Sequence, residues 1–238
     1  MGPGAHTPPV DSVLPETTAL EGRPTEEVVT WALEQFGDRV AVSTALGPSG
    51  VVLLHLAQQV RPNVRAFFLD TGYHFPETLE HLARLEARLG LRLERIHPDA
   101  TDVAARDAAE VPLYQTSPDA CCALRKVEPM DRVLRGLDAW MTGIRRDQGG
   151  DRVHAPVAEW KTVGDRAVLK LNPLVDWDRK RIWAHLFAHD LPYNPLHDQG
   201  YPSVGCWPCT RPADADAGER SGRFVGQSRT ECGLHTRF

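Results

Sequence analysis

The chain has no run of about 18 apolar residues, the length that a membrane-spanning helix requires. It also lacks the pattern of an export signal, since Met1 to Pro9 contains no basic stretch leading into an apolar one. Basic charge is not in excess: 27 Lys and Arg against 32 Asp and Glu leave a formal net charge of −5. That balance argues against sequence-independent nucleic-acid binding, which needs a basic face. No Gly-Lys-Ser/Thr is present to close a phosphate loop of the Walker A type. Internal repeats and long low-complexity runs are absent as well. The five cysteines are odd in number and carry no export signal, so a secreted disulfide framework is not expected. The expected setting is the cytoplasm, with no membrane and no nucleic acid as partner.

The 238 residues, 42% of them hydrophobic, suffice for one domain, or for one domain with an appended segment. Residues 1–23 read as a loose, Pro-rich tail. Thr25 is placed to cap a helix that carries Glu26 and Glu27 in its first turn and runs to about Phe36. Strands are expected at Val40–Val42, Val64–Leu69, Leu91–Ile96, Ala139–Thr142 and Ala167–Leu171. Helices are expected between them at Val51–Val60 and Pro76–Gly90. A further helix is expected at Asp178–His189, with Trp183, Leu186 and Phe187 inward. Strands alternating with helices imply an α/β fold, a mainly parallel sheet with helices on both faces. Beyond about Pro192 the periodicity fades into a segment rich in Pro, Gly, Arg and Asp, with too little apolar content for a core of its own.

In open parallel sheets ligands bind beyond the carboxyl ends of the strands. Three strand-ending loops carry small or polar residues: Ser43 to Gly50, Leu69-Asp70-Thr71-Gly72, and Thr142 to Arg146. The first leads into a helix N-terminus suited to an anion, although an ordinary strand-to-helix connection would look similar. Arg145 and Arg146 follow a strand and a glycine, which fits either an anion site or solvated surface charge.

The cysteines divide into Cys121-Cys122, then Cys206-Trp207-Pro208-Cys209, then Cys232 alone. Four thiols in two tight pairs can close around one metal centre. Zinc usually takes pairs spaced by two to four residues, whereas a [4Fe-4S] cluster takes four thiolates on separate irons. Buried packing is the plainer account of Cys121 and Cys122. Cys232 follows Glu231 and precedes His235. A nucleophilic thiol needs nearby cations to depress its pKa, and Arg220, Arg223, Arg229 and His235 are candidates. A surface thiol near the end of the chain is the alternative.

Several motifs in this order resemble the assimilatory adenylyl-sulfate reductases within the phosphoadenylyl-sulfate (PAPS) reductase family. They are Cys121-Cys122-Ala-Leu-Arg-Lys126, the stretch from Tyr193 through Cys206-Trp-Pro-Cys209 to Pro212, and Glu231-Cys232-Gly-Leu-His235. Leu69 to Thr78 and Thr142 to Gln148 match too, so the resemblance runs from about Thr25 to His235. It implies an adenine-nucleotide α-hydrolase-like fold and reductive cleavage of adenylyl sulfate (APS) to sulfite and AMP. It implies a [4Fe-4S] cluster on Cys121, Cys122, Cys206 and Cys209, and Cys232 as the nucleophile. Thioredoxin or glutaredoxin would be the electron donor, and a homo-oligomer is compatible with the family. Lys126, Arg145, Arg146, Arg220, Arg223 and His235 match basic family positions near the substrate, with Ser43, Asp70, Thr71 and Gly72 as further substrate-binding candidates. The implied division is a nucleotide-binding domain over residues 24–210 and a mobile catalytic tail over 211–238. Two features depart from the family pattern: the Ser43–Gly50 loop has Pro48 and no acid, and Phe224 and Val225 stand where tryptophans are common. Rival readings are a PAPS or dual reductase, a tRNA-thiolating enzyme, and a non-catalytic zinc or iron–sulfur regulator. The Ser-Gly-Gly-x-Asp-Ser loop of the tRNA-thiolating class is absent.

Overall fold

A computed structural model describes residues 17, 19–107, 110–214, 217–227, 229 and 231–238, without the side chains of Asp107, His235 and Thr236. In chain order the elements are α1 (Thr25–Phe36), β1 (Val40–Thr44), α2 (Pro48–Val60), β2 (Ala66–Leu69), α3 (Pro76–Leu89) and β3 (Glu94–Ile96). Then come α4 (Ala100–Asp107), α5 (Leu113–Thr116), α6 (Pro118–Cys122), a π-helical turn (Ala123–Val127), α7 (Glu128–Leu134) and β4 (Ala139–Thr142). The chain continues with β5 (Ala158–Val163), β6 (Arg166–Leu171), α8 (Arg179–Ala188) and α9 (Gly233–Arg237).

The strands form one six-stranded sheet in the order β3-β2-β1-β4-β6-β5. All neighbours are parallel except β5, which returns antiparallel on β6 through Gly164 and Asp165. The central strands are short apolar runs buried on both faces, as a covered parallel sheet requires. Alternation sorts their side chains. Val40, Val42, Ala66, Phe68, Ala139 and Met141 face α1, α2, α3 and α8. Ala41, Phe67, Leu69 and Trp140 face the helical stretch that ends at Leu134, together with Phe238. The expected two-sided α/β architecture is therefore present, with one strand more than the sequence suggested.

Three local expectations are corrected. Thr25 is the first helical residue rather than the cap; its hydroxyl donates to the Pro173 carbonyl and accepts from the Trp177 indole N–H. Phe187 is turned outward and 65% exposed, while Leu186 and Ile182 fill the inner face of α8. Within the stretch expected to be loose, residues 1–16 and 18 lie outside the described residues, but Leu20 is buried in the main core and Glu21 accepts from the Val157 N–H.

Sheet order reverses between β1 and β4: β2 and β3 lie beyond β1, and β6 and β5 beyond β4. That switch point opens a crevice at the strands' carboxyl ends. Two glycines keep it tight. A Cβ on Gly50 would strike the Thr44 hydroxyl at 2.3 Å, and one on Gly143 would meet the Ser49–Gly50 backbone at 3.0 Å.

Candidate active site

The crevice holds a cavity of about 220 Å³ lined by the ends of β1, β2 and β4 and by residues from the 197–238 stretch. Ser43, Thr71, Thr142 and Gly143 lie on its wall. Leu46 anchors the Ser43–Gly50 loop in a left-handed conformation (φ 61°). Its N–H donates to Thr44 Oγ1 at 3.0 Å, and its carbonyl accepts from His81 Nε2 at 3.2 Å. Burial lowers the His81 pKa to about 4, so the imidazole acts as a neutral donor. Sequence reasoning missed His81 because it lies on α3, far along the chain from the loop it supports.

Five basic side chains line the cavity, Lys126, Arg152, Lys170, Arg220 and Arg223, against the acids Glu219 and Glu231. An acidic protein thus concentrates positive charge at one site, where a focused field favours an anion. Arg152 and Lys170 were not identified from the sequence. Arg152 sits in a short 3₁₀ stretch, and Lys170 sits in an otherwise apolar strand. Burial and then Arg152 bring the Arg220 pKa down to about 10, despite the opposing Glu231 carboxylate.

Other expected residues are placed less directly. Arg145 is 1% exposed and lies behind the wall, paired with Asp147 and Glu219 and hydrogen-bonded to Ser49 Oγ. Arg146 does not line the cavity; it pairs with Glu21 and Asp176. The Asp70 carboxylate accepts from the Gly72 N–H, and neither residue lines the cavity. The His235 side chain lies outside what is described.

All five cysteines are free thiols, and four are buried. Cys121 and Cys122 end α6, where the helix passes through the π-helical turn; such turns are frequent at functional sites. The turn carries Arg125 and Lys126. Arg125 Nη1 donates to the Thr71 carbonyl at 2.9 Å, and its guanidinium lies 4.1 Å from the Tyr73 ring centroid. Thr71 Oγ1 is 3.3 Å from Cys206 Sγ, and the Trp207 N–H donates to the Tyr73 carbonyl. The Asp70–Tyr73 loop is thus the joint that brings the two cysteine pairs together. Arg229 closes the other side, with Nη1 3.3 Å from Cys122 Sγ and Nη2 3.8 Å from Cys209 Sγ. Burial, then Cys122, raises the Cys121 thiol to about 11, with Cys206 and Cys209 adding to it, while Arg125 opposes. Burial, then Cys206, raises the Cys209 thiol as well. Four converging thiols suit a group that takes all four as thiolates. Among the described residues, no group of three or more His, Cys, Asp or Glu side chains is placed closely enough to hold a metal ion.

Cys232 lines the cavity and packs with Cys122 and Phe224. Burial would raise its pKa, but Lys126, the Leu234 backbone amide and Arg223 together hold it below the ordinary thiol value. Burial likewise works to deprotonate Lys126, yet the thiols of Cys206, Cys232 and Cys122 keep it charged. One lysine therefore faces both the lone thiol and the paired ones. Phe224 is buried with φ 56°, whereas Val225 is 64% exposed.

Residues 39–212 match the model of the phosphoadenosine phosphosulfate reductase domain. The chain belongs to that family. It is 46% identical to an adenosine 5'-phosphosulfate reductase of Salinibacter ruber over 88% of this chain and 82% of the relative. It is 44% identical to a phosphoadenosine 5'-phosphosulfate reductase of Gloeobacter violaceus, over 88% of each chain. Among solved structures it is similar to the PAPS reductase of Candida auris in its phosphate complex, with TM-score 0.72 and 28% identity over 87% of this chain and all of that one. Candida glabrata FMN adenylyltransferase shares the fold at TM-score 0.56 and 18% identity, covering 87% of this chain and 67% of that one.

Proposed function

We propose that the chain reduces adenosine 5'-phosphosulfate to sulfite and AMP in sulfate assimilation, with Cys232 as nucleophile. The observation that carries this reading is the position of Cys232: a thiol of depressed pKa, inside a positively charged cavity at the sheet's switch point, near Cys122, Cys206 and Cys209. The relatives named as adenosine 5'-phosphosulfate reductases support the substrate. Residues 24–210 would form the nucleotide-binding domain and 211–238 the catalytic tail.

In the first step the Cys232 thiolate attacks the sulfate sulfur. An S–S bond forms, the S–O bond to the phosphate breaks, and AMP leaves with the electron pair. This covalent route splits one reduction into two displacements. Lys126, Arg220, Arg223, Arg152 and Lys170 offset the repulsion between anions and receive the charge that develops on the leaving phosphate. Ser43, Thr71 and the backbone around Gly143 would position the nucleotide, with Arg145 acting through Ser49. In the second step a thiolate of a dithiol donor of the thioredoxin or glutaredoxin type attacks Cys232 Sγ. Sulfite leaves with the pair from the broken S–S bond. The donor's second thiol then releases Cys232, so that the donor is oxidised and two protons are freed.

Cys121, Cys122, Cys206 and Cys209 would hold a [4Fe-4S] cluster. When bound, it would supply an iron–sulfur centre whose charge reaches the substrate site. Five free thiols support a reducing, cytoplasmic setting.

The test is thioredoxin-dependent sulfite release from APS by anaerobically purified protein. Cys232→Ser is expected to abolish release while leaving iron content and AMP binding intact; a serine variant that still turned over would sink the assignment. Cys206→Ala is expected to lose iron from a wild-type level of about four per chain, and zinc in its place would favour the regulator reading. The Gloeobacter violaceus relative favours a second reading, PAPS or dual use, which competition between APS and PAPS decides.

A further inference from the structure

The residue before the nucleophile ties the terminal segment of the tail, residues 224–238, to two arginines outside that segment, Arg152 and Arg220. Glu231 has a side chain only 5% exposed. Arg152 grips both of its oxygens, Nε to Oε1 at 2.7 Å and Nη2 to Oε2 at 3.0 Å. Arg220 Nη2 reaches Oε2 at 2.9 Å. All three residues line the cavity that holds Cys232. The carboxylate therefore sits between two cations in a site otherwise shaped for an anion.

We propose that Glu231 is an internal ligand of the anion subsite: its carboxylate holds Arg152 and Arg220 while the terminal segment 224–238 is docked, and an arriving sulfate or phosphate group displaces it. This rests on the reading that the cavity takes an anionic substrate. Undocking without an anion withdraws the carboxylate from two largely buried guanidiniums, which is strongly unfavourable. Undocking with an anion exchanges one bidentate acceptor for another, so the cost largely cancels. A ligand shifts an equilibrium only through its differential affinity for the two states. Here the docked state has its subsite filled from within, so the anion favours release. The empty enzyme keeps its thiol covered, and the substrate's own charge opens the way in. Once Glu231 has yielded the arginines, Cys232 can return over the bound substrate. Glu231 is a positioning residue in this account.

The test is hydrogen–deuterium exchange of the full, cluster-loaded chain, read on peptides spanning residues 224–238. Inorganic sulfate is the probe, set against chloride at equal ionic strength. Sulfate is expected to speed tail exchange saturably. Glu231→Gln is expected to speed it by about tenfold or more without sulfate, the loss of one charge-assisted pair, and to abolish the sulfate response. Glu231→Asp keeps the charge, and it is expected to give an intermediate rate and to retain the response. Slowed or unchanged exchange of the wild type in sulfate, or a Gln variant at the wild-type rate, would overturn the proposal. The wild-type measurement stands even if a variant fails to fold. Turnover of APS without a sulfate response removes the latch and leaves the proposed function; a sulfate response without turnover does the reverse.

Discussion

At the scale of single residues, buried hydroxyls and carboxylates in this protein are spent on distant partners. Thr25 Oγ1 donates to the Pro173 carbonyl at 2.9 Å and accepts from Trp177 Nε1 at 2.7 Å, all in a buried setting. Valine has nearly the same shape and would strand both partners. We expect Thr25→Val to cost about 2–3 kcal/mol, because each buried group left unpaired carries its desolvation penalty. Urea unfolding measures this, and a variant within about 0.5 kcal/mol of wild type would mean that water or a shift of Trp177 satisfies both groups. The sequence marked Thr25 as the start of α1 correctly to one residue. It could not show the hydroxyl's use, because both partners lie far along the chain. Arg152 escaped notice for the same reason: nothing local distinguishes it from a solvated arginine, and its carboxylate partner Glu231 lies far along the chain.

At the scale of elements, α2 and α8 meet through a histidine cluster. His55 lies on α2, His185 on α8 and His189 just past its end, with ring centroids 4.3–5.2 Å apart and His55 Nδ1 3.0 Å from His185 Nε2. Burial first, then His189 and His55, lowers the His185 pKa to about 4; burial, then His189 and Arg88, lowers that of His55. The unfolded chain titrates near the ordinary value of about 6.5. The folded state therefore holds the His55 and His185 rings neutral, and their contribution is complete above that pH and lost as pH falls toward about 4. We expect the urea midpoint to fall between pH 7 and pH 5, with a shallower fall in His185→Gln; an identical slope would remove the cluster from the account. His81 keeps part of the slope in either case. The strands on the switch point were legible because they are short apolar runs bounded by small polar loops. β5 was not, since its residues are mostly half-exposed and alternate weakly. The stretch from α4 to α7 was also missed. Its helices are short, and Pro112, Pro118 and Pro129 break the periodicity that would reveal them. Two of the cysteines sit there, so their pattern was readable before their support was.

At the scale of the molecule, the terminal segment 224–238 is fastened at separate points to different parts of the rest of the chain. Phe224 packs with Cys122 and Cys232. Glu231 is held by Arg152 and Arg220. Phe238 inserts among Phe67, Leu134 and Trp140 on the sheet's second face, and its backbone oxygen accepts from Lys170 Nζ at 2.9 Å. Truncating a buried phenylalanine ordinarily costs about 3–5 kcal/mol when the surrounding structure must stay. A tail that undocks as a unit limits that cost to its own docking free energy, and the sheet is spared. We therefore expect Phe238→Ala to raise amide exchange across residues 224–238 by about a hundredfold, the equivalent of about 3 kcal/mol. Exchange in β1, β2 and β4 should change little, because their ladders and the α1, α2, α3 and α8 face are untouched. Equal acceleration in the tail and in these central strands would show that Phe238 belongs to the cooperative core. The segment carrying Cys232 would then not move independently, and access to the thiol would need another route.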